Sequence, residues 1–249
     1  MEENIIETVK ADSRQANLSA IVLLITFTIK EMIIINSFRI VNQGGIGEII
    51  EKKSRFIATV VPVNTEEKAI EFIEQTKKKY YDATHNCSAY VIGDNNEIQR
   101  CSDDGEPVRT AGWPMLDVLL GEGLHNVAVV VTRYFGGTLL GTGGLVRAYQ
   151  GATKEGLKNS VILDKLSGIK LKITTDYNGI GKLQHITSQM EITNLDTEYT
   201  DIVAMTNLVP IDLYNQFEKK VIEATNGKAI IENLGNVFYA IMNNSVLIL

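Results

Sequence analysis

The alternation of apolar and polar residues becomes regular after residue 46. The segment GEIIEKKSRFIATVVPV (47–63) predicts two strands joined near Lys52–Ser54, with Pro62 closing the second strand. The segment 64–80 begins with capping residues, carries apolar residues at helical spacing and ends in lysines, so it predicts a helix. The segments CSAYVIG (87–93) and EIQRC (97–101) predict a hairpin. These patterns indicate a mixed α and β protein.

The middle of the chain predicts a helix, a buried strand and a second helix. The first helix covers about 114–120, with a proline at its first turn, and Trp113 and Pro114 are expected to pack its start against the core. The segment NVAVVVTRYF (126–135) is apolar over most of its length, which is typical of a strand buried on both faces. The second helix is predicted over 145–160, after a glycine-rich segment.

The composition changes around residues 166–168, where we expect a domain boundary. The later segments predict a strand at 168–175, a helix at 177–190, two strands within 191–209, a helix at 210–225 and a strand at 228–238. The order β-α-β-β-α-β is that of the ferredoxin-like fold. The chain is therefore expected to be an α+β protein of two domains.

The N-terminal segment LSAIVLLITFTI (18–29) is apolar but shorter than the roughly 20 residues that span a bilayer. Its length resembles the core of a signal peptide, but no small-residue cleavage site follows it. We expect residues 1–36 to be an extension outside the fold, with Met32 as an alternative start. The alternatives are an additional strand or an interfacial segment, and no membrane partner is expected.

The amino-acid composition and net charge exclude some classes of function for this protein and favour others. The chain is 45% hydrophobic and 22% charged, as in ordinary soluble globular proteins. The net charge of −6 argues against broad, non-specific nucleic-acid binding, which needs a basic surface, but it leaves a local basic face open. Every arginine lies before residue 168, so contact with a polyanion is expected there. Two cysteines are too few for a disulfide framework, which favours a reducing cytoplasm.

The glycine-rich segment TRYFGGTLLGTGGLVRAY (132–149) permits two interpretations. A loop between a strand and a helix can bind an anion through backbone N–H groups and the helix N-terminus, although this spelling matches neither common nucleotide motif. Alternatively, the glycines only supply positive φ angles and close packing. Arg133 near the strand end and Arg147 in the expected first helical turn favour the anion. The candidate anion-binding residues are Arg109, Arg133, Gly136, Gly137, Gly143, Gly144 and Arg147.

Two polar segments, DATHNCSAY (82–90) and RCSDDGEP (100–107), hold the other candidate groups. One interpretation is a metal site, but these segments offer only three soft ligands, and their spacing is not that of a zinc site. A second interpretation is a Cys/His nucleophile pair. Alternation of Cys87 with Ala89 favours a third, in which Cys87 is a small core residue. The run Asp103–Glu106 is typical of a turn, and it could otherwise hold a divalent cation or orient arginines.

Four ordered motifs together resemble the bacterial YigZ branch of the Impact family. They are KKSRFIATVVPV, DATHNCSAYVIG, RCSDDGEPVRTAGWPML and NVAVVVTRYFGGTLLGTGGLVRAY. The resemblance implies an Impact-type domain at 37–165, akin to ribosomal protein S5 domain 2. It also implies a ferredoxin-like domain at 168–249, similar to the last domain of elongation factor G. The family motif usually reads G-E-P-x-G-T-A-G, and Arg109 replaces its second glycine, which puts a tight turn at 109 in question.

The resemblance also implies a function. Eukaryotic relatives regulate translation through a partner in the amino-acid-starvation kinase pathway, and a nucleic-acid or ribosome-related role is the usual inference for the bacterial branch. We expect a cytoplasmic, translation-associated regulatory protein that binds RNA, the ribosome or a translation-related protein, without a cofactor or metal. The supporting residues would be His85, Asp103, Asp104 and Glu106. The alternatives are an enzyme acting on a small phosphorylated or nucleotide ligand, with His85 or Asp104 as base, and a protein-interaction adaptor.

Overall fold

A computed structural model describes residues 38–242 and 245–249, and the expected N-terminal extension lies outside the described residues. The described residues form two compact units. The N-terminal unit comprises 38–166 and 237–249, and the C-terminal unit comprises 167–236. The predicted two-domain α+β fold is confirmed. The bounds of the two domains stay a prediction. In the structure, residues 237–249 group with the N-terminal unit, whereas the sequence-based prediction assigned them to the second domain.

Helices and strands follow one another along the chain in the predicted order, with three additional short strands. Up to the glycine-rich loop the elements are β1 (Phe38–Gln43), β2 (Ile46–Glu51), β3 (Ser54–Pro62), α1 (Glu66–Lys79), β4 (His85–Ile92), β5 (Ile98–Ser102), α2 (Gly112–Gly121), β6 (Leu124–His125) and β7 (Val127–Tyr134). After it come α3 (Thr142–Lys158), β8 (Val161–Thr175), α4 (Tyr177–Gln189), β9 (Thr193–Tyr199), β10 (Val203–Pro210), α5 (Tyr214–Thr225), β11 (Ile230–Met242) and β12 (Ser245–Ile248). The strands β1, β6 and β12 were not predicted.

The N-terminal unit is built on an antiparallel five-stranded sheet in the order β2-β3-β7-β4-β5. Strand β7 is central and is buried on both faces, as predicted, since α2 and α3 cover one face of the sheet and α1 covers the other. Val129 and Val131 therefore join the core beneath α2 and α3, whereas Ala128 packs with the residues beneath α1. The pairing of β4 with β7 places His85 opposite Arg133.

Helix α3 packs closely on the sheet because glycines line the contact. Gly47 on β2 lies against the backbone of Glu155 and Gly156, and an added Cβ at Gly47 would overlap those atoms. Gly156 in turn faces Ala58, whose Cβ would be 3.0 Å from a Cβ added at Gly156. This close approach seats α3 directly on β2 and β3.

The C-terminal unit has the predicted β-α-β-β-α-β order, with its strands arranged as β11-β8-β10-β9. Residues 168–175 of β8 pair antiparallel with β10, which pairs antiparallel with β9. Asp176 caps α4 by accepting a hydrogen bond from the Gly179 N–H at 2.8 Å. The core of this unit contains Leu171, Ile173 and Phe217, each almost fully buried.

We expect Gly47→Ala to destabilise the protein by about 1–3 kcal/mol, because the new methyl group meets backbone atoms that cannot move without shifting α3. The control is Gly181→Ala in helix α4, where an added Cβ meets nothing within 4 Å. That substitution is expected to stabilise by about 0.5–1 kcal/mol through helix propensity. Denaturant unfolding measures both changes, and equal effects at the two positions would contradict the close approach.

Candidate anion-binding site

The acidic segment before α2 forms the predicted turn. The Glu106 N–H donates to the Asp103 carbonyl at 2.9 Å, and the two central residues, Asp104 and Gly105, have positive φ angles of 44° and 87°. A turn with two positive φ angles suits an Asp-Gly pair. The turn sends the three carboxylates to three different partners, so they are not gathered around one point.

The Asp103 carboxylate organises the start of α2. It accepts hydrogen bonds from the backbone N–H groups of Arg109, Ala111 and Gly112 at 2.8, 3.0 and 2.8 Å. It therefore satisfies donors that a helix start leaves free, and its negative charge lies at the positive end of the helix dipole. Arg109 has a φ angle of 62°, a left-handed conformation, so the turn at 109 forms although arginine stands where the family has glycine.

Asp104 ties the turn to α1 and β4. Its Oδ1 atom lies 2.9 Å from Lys77 Nζ, and its Oδ2 atom accepts from the Asn86 N–H at 2.7 Å. Burial raises the pKa of Asp104, but the hydrogen bonds from Lys77 and Asn86 outweigh it, so the pKa lies below its usual value. The Asp104 carbonyl lies 2.8 Å from His85 Nδ1, which must donate because a carbonyl only accepts.

Glu106 joins three parts of the unit through a buried ion pair. Its Oε1 atom accepts from Arg133 Nη1 at 2.5 Å and from the Tyr149 hydroxyl at 2.8 Å. The side chains of Glu106 and Arg133 are only 3% and 6% exposed. The Arg133 guanidinium also lies over the rings of Phe56 and Phe135, at 5.4 and 5.6 Å. The loop before α2, strand β7 and helix α3 are thereby connected.

Cys87 is a core residue, as favoured above. It is fully buried, and its Sγ atom lies 3.0 Å from the Asp103 carbonyl and 3.3 Å from the Tyr149 hydroxyl. Burial raises the pKa of the Cys87 thiol, which disfavours the thiolate that a nucleophile needs. Among the described residues, no group of three or more potential ligands could hold a metal ion.

The first half of the glycine-rich loop packs against the β2–β3 hairpin. An added Cβ at Gly136 would overlap the backbone of Lys53 and Ser54, and the Gly136 N–H donates to Ser54 Oγ at 3.2 Å. Gly137 and Gly141 have positive φ angles of 81° and 74°. These three glycines therefore have the conformational and packing roles of the second interpretation. The loop then leads into α3.

The start of α3 lies three residues earlier than predicted, at Thr142. Arg147 therefore lies in the second turn, not the first, which corrects the sequence-based placement. Its guanidinium nonetheless reaches back to the first turn, because Nη1 would be 3.6 Å from a Cβ added at Gly143. This first turn contains no acidic residue, and no side chain caps it. Arg147 is exposed and makes no ion pair with a described residue.

A groove on the same unit runs between α2 and α3 and has a volume of about 360 Å³. Arg109 is exposed at this groove, with its guanidinium 5.5 Å from the centre of the Trp113 ring. Trp113 is 44% exposed, so the expectation that it packs the helix start against the core is wrong. Pro114 is buried as expected.

The structure thus divides the candidate residues into two groups. Arg133 and Glu106 lie inside the unit and are paired with each other, with His85 and Tyr149 beside them. Arg109, Gly143 and Arg147 lie at the surface along α2 and α3. Sequence reasoning did not connect Lys77 with Asp104, nor include Ser54 or Tyr149, because only the sheet pairing and the helix packing bring these residues to the site.

Comparison with known proteins identifies the relatives of this chain. The IMPACT family member YvyE of Bacillus subtilis is 41% identical over 80% of this chain and 91% of its own length. The chain belongs to the Impact family. The Impact N-terminal domain matches residues 52–157, and a domain of unknown function, DUF1949, matches residues 173–228.

A further Impact relative and a similar solved structure agree with this assignment. The IMPACT family member YigZ of Escherichia coli is 34% identical over 71% of this chain and 87% of its own length. A crystal structure of a hypothetical protein superposes with a TM-score of 0.51 and 31% identity, covering 80% of this chain and 98% of the other. The Impact N-terminal domain match contains the acidic turn, the glycine-rich loop and almost all of α3. No helix among the described residues is long and apolar enough to cross a membrane.

We expect Glu106→Gln to destabilise the protein by about 3–5 kcal/mol, because it leaves the Arg133 charge buried without its counter-charge. The matched control is Glu48→Gln, which breaks the Arg55–Glu48 pair on the surface of the same sheet. Exposed pairs contribute little, so its effect should be much smaller. Urea unfolding compares the variants, and similar losses would contradict a special role for the buried pair.

The Lys77–Asp104 pair predicts a pH dependence of stability. The lowered pKa of Asp104 stabilises the fold above its unfolded value of about 3.9, and this contribution disappears as the pH falls through the folded value. The hydrogen bond to Asp104 raises the pKa of Lys77, so that contribution persists below about 10.4 and disappears as the pH rises through the folded value. Asp104→Asn should therefore cost stability at pH 7 and much less at pH 2.

Urea unfolding at the two pH values tests this dependence. The control is Asp164→Asn, since Asp164 is exposed and makes no ion pair with a described residue. Its difference from wild type should stay small throughout. A loss in Asp104→Asn that is the same at both pH values would argue against the ion pair as its cause.

Proposed function

We propose that this chain is a cytoplasmic, translation-associated protein that binds RNA, free or in the ribosome, through phosphate contacts at the start of α3. The observation that carries the proposal is the Arg147 guanidinium beside Gly143 in an uncapped first turn without acidic residues. Membership in the Impact family supports the link to translation. The phosphate contact is supported by the positive charge of Arg147 beside an uncapped helix start.

A phosphate is favoured at this place by two additive effects. The first backbone N–H groups of a helix have no partner within the helix, and the helix dipole places partial positive charge there. Arg147 adds a full positive charge within reach of the same turn. Charge-assisted hydrogen bonds from arginine to phosphate are among the strongest polar contacts in proteins. The 17-residue helix α3 has its full dipole and leads directly from the loop.

The distribution of charge supports a local contact. The net charge of −6 does not favour contact with a polyanion over the whole protein surface, but every arginine lies before residue 168. In the C-terminal unit, Lys172 on β8 faces Glu198 on β9 at 3.3 Å, so part of its basic charge is neutralised. RNA is therefore expected to meet the N-terminal unit.

The buried ion pair has a supporting role in this proposal. Arg133 cannot both remain buried against Glu106 and contact a phosphate outside. Instead, Glu106 contacts both Arg133 on β7 and Tyr149 on α3 and so fixes the position of the helix relative to the strand. The Asp103 carboxylate in turn holds the backbone N–H of Arg109. The two exposed arginines, 109 and 147, therefore project from fixed backbone positions.

The enzyme alternative has less support from the geometry. Both oxygens of the Asp104 carboxylate already accept hydrogen bonds, from Lys77 and Asn86. His85 Nδ1 donates to the Asp104 carbonyl, and His85 Nε2 lies 3.9 Å from the buried Glu106 Oε1 atom. A general base needs a lone pair within reach of a substrate proton, whereas both Asp104 oxygens are already hydrogen-bonded and His85 Nε2 lies on the side of a buried carboxylate.

Salt-dependent binding of a single-stranded RNA tests the proposal. Each phosphate contact to a single strand contributes about 0.7 to the slope of log affinity against log salt. The double variant Arg109→Ala plus Arg147→Ala should therefore weaken binding at low salt and reduce the slope by about 1.4. Fluorescence anisotropy of a labelled decamer measures both, and co-sedimentation with ribosomes should weaken in parallel.

The matched control is Arg100→Ala, an exposed arginine on β5 that pairs with Glu66 at 3.7 Å. This variant should keep the wild-type affinity and slope. If the double variant binds as wild type does, the phosphate site is wrong. If wild-type affinity does not depend on salt, phosphate contacts are absent altogether.

A further inference from the structure

The groove between α2 and α3 carries an unusual combination of side chains. Trp113 presents a half-exposed aromatic ring, and the other lining residues are Arg109, Pro114, Asp117, Val146 and Gln150. Exposed tryptophan beside arginine is the pairing on which single-stranded nucleic acids stack their bases. The volume of about 360 Å³ is sufficient for one base and part of its sugar.

The charge inside the groove favours a base over a phosphate. The groove holds one cation, Arg109, and one carboxylate, Asp117, so it is close to neutral. A phosphate would be repelled by Asp117, whereas a neutral base would meet both a stacking surface and a hydrogen-bond acceptor. The groove and the start of α3 are therefore suited to different parts of a nucleotide.

Asp117 and Gln150 further select among the bases. An ionised carboxylate only accepts hydrogen bonds, and an amide can donate as well. The Watson–Crick edge of guanine offers two adjacent donors, N1–H and the N2 amino group, beside one acceptor, O6. On the Watson–Crick edges of adenine, cytosine and uracil, the atom beside the hydrogen-bond donor is an acceptor. A carboxylate therefore finds only one donor there, and its second oxygen faces a lone pair. The side chains of Asp117 and Gln150 make no hydrogen bond with a described residue, so both are available.

Helix α3 connects the groove to the phosphate contact. Val146 and Gln150 line the groove, and Arg147 lies between them in the chain, one turn after Gly143. Residues three and four apart share one helix face, so Arg147 and Gln150 are neighbours on the surface. A base in the groove would thus have a phosphate of the same strand near the start of α3.

We propose that the groove between α2 and α3 binds a guanine base of single-stranded RNA, stacked on Trp113 and read by Asp117. The proposal rests on the proposed RNA-binding function and assigns a base preference to the same surface. Arg109 now covers the Trp113 ring, and the base takes its place there. The released guanidinium then faces the adjoining phosphate.

Trp113 is the only tryptophan in the chain, so its fluorescence reports on the groove directly. The probes are uridine decamers that carry one central guanine, adenine or inosine, and inosine lacks the N2 amino group of guanine. The guanine decamer should quench Trp113 and bind about tenfold more tightly than the adenine decamer, since one bidentate base contact has an effect of this size. The inosine decamer should bind with intermediate affinity.

Substitution of the reading residue separates base preference from general affinity. Asp117→Asn should lose the preference for guanine while the decamers still bind, and Gln150→Met should reduce that preference. Asp164→Asn makes the same charge change at an exposed position outside the groove and should keep the preference. Thermal unfolding of each variant confirms that it is folded.

The outcomes distinguish this proposal from the function on which it rests. If decamers bind through Arg109 and Arg147 but Trp113 emission and base preference do not change, the groove proposal is overturned and RNA binding stands. If no decamer binds, both fail. If free guanosine monophosphate quenches Trp113 at the same concentration as the decamer, the ligand is a free nucleotide and the RNA assignment is wrong.

Discussion

The ion pair between Glu106 and Arg133 is the interaction on which the rest of the N-terminal unit depends. Both side chains are almost fully buried, and burying an unpaired charge would cost several kcal/mol. The Tyr149 hydroxyl and the rings of Phe56 and Phe135 complete the surroundings of the pair. Each partner comes from a different element, so the pair with its Tyr149 contact is complete only when the acidic turn, β7 and α3 are all in place.

This arrangement explains why two arginines of one motif have different environments. Arg133 lies on the central strand β7. Its side chain points into the unit, where the Glu106 carboxylate neutralises its charge. Arg147 lies on the exposed side of α3, without an ion pair to any described residue, and reaches the helix start. The inner arginine supports the backbone geometry, and the outer one is available to a ligand. A single sequence motif therefore combines structural and binding roles.

Local patterns predicted most of the long elements well, although β8 begins at Val161, seven residues before its predicted start, and runs through the predicted domain boundary. Strands β2, β3, β4 and β7 and all five helices among the described residues lie within a few residues of their predicted bounds, because their apolar spacing and capping residues are local signals. Strands β1, β6 and β12 are short and depend on remote partners, as the pairing of β1 with both β6 and β8 illustrates. Trp113 was misplaced for a related reason, since its exposure depends on what α3 leaves uncovered.

Adjacent residues or ordered motifs encode the fold class, the order of elements, the turn at Asp103–Glu106 and the family, so all four were predictable without the structure. Which charged groups are neutralised and which face outward becomes visible only in the folded chain. Residues 27 or more positions apart, such as Glu106 and Arg133 or Ser54 and Arg133, meet through strand pairing and helix packing. Burial and pairing are properties of the folded surroundings, which no local pattern specifies.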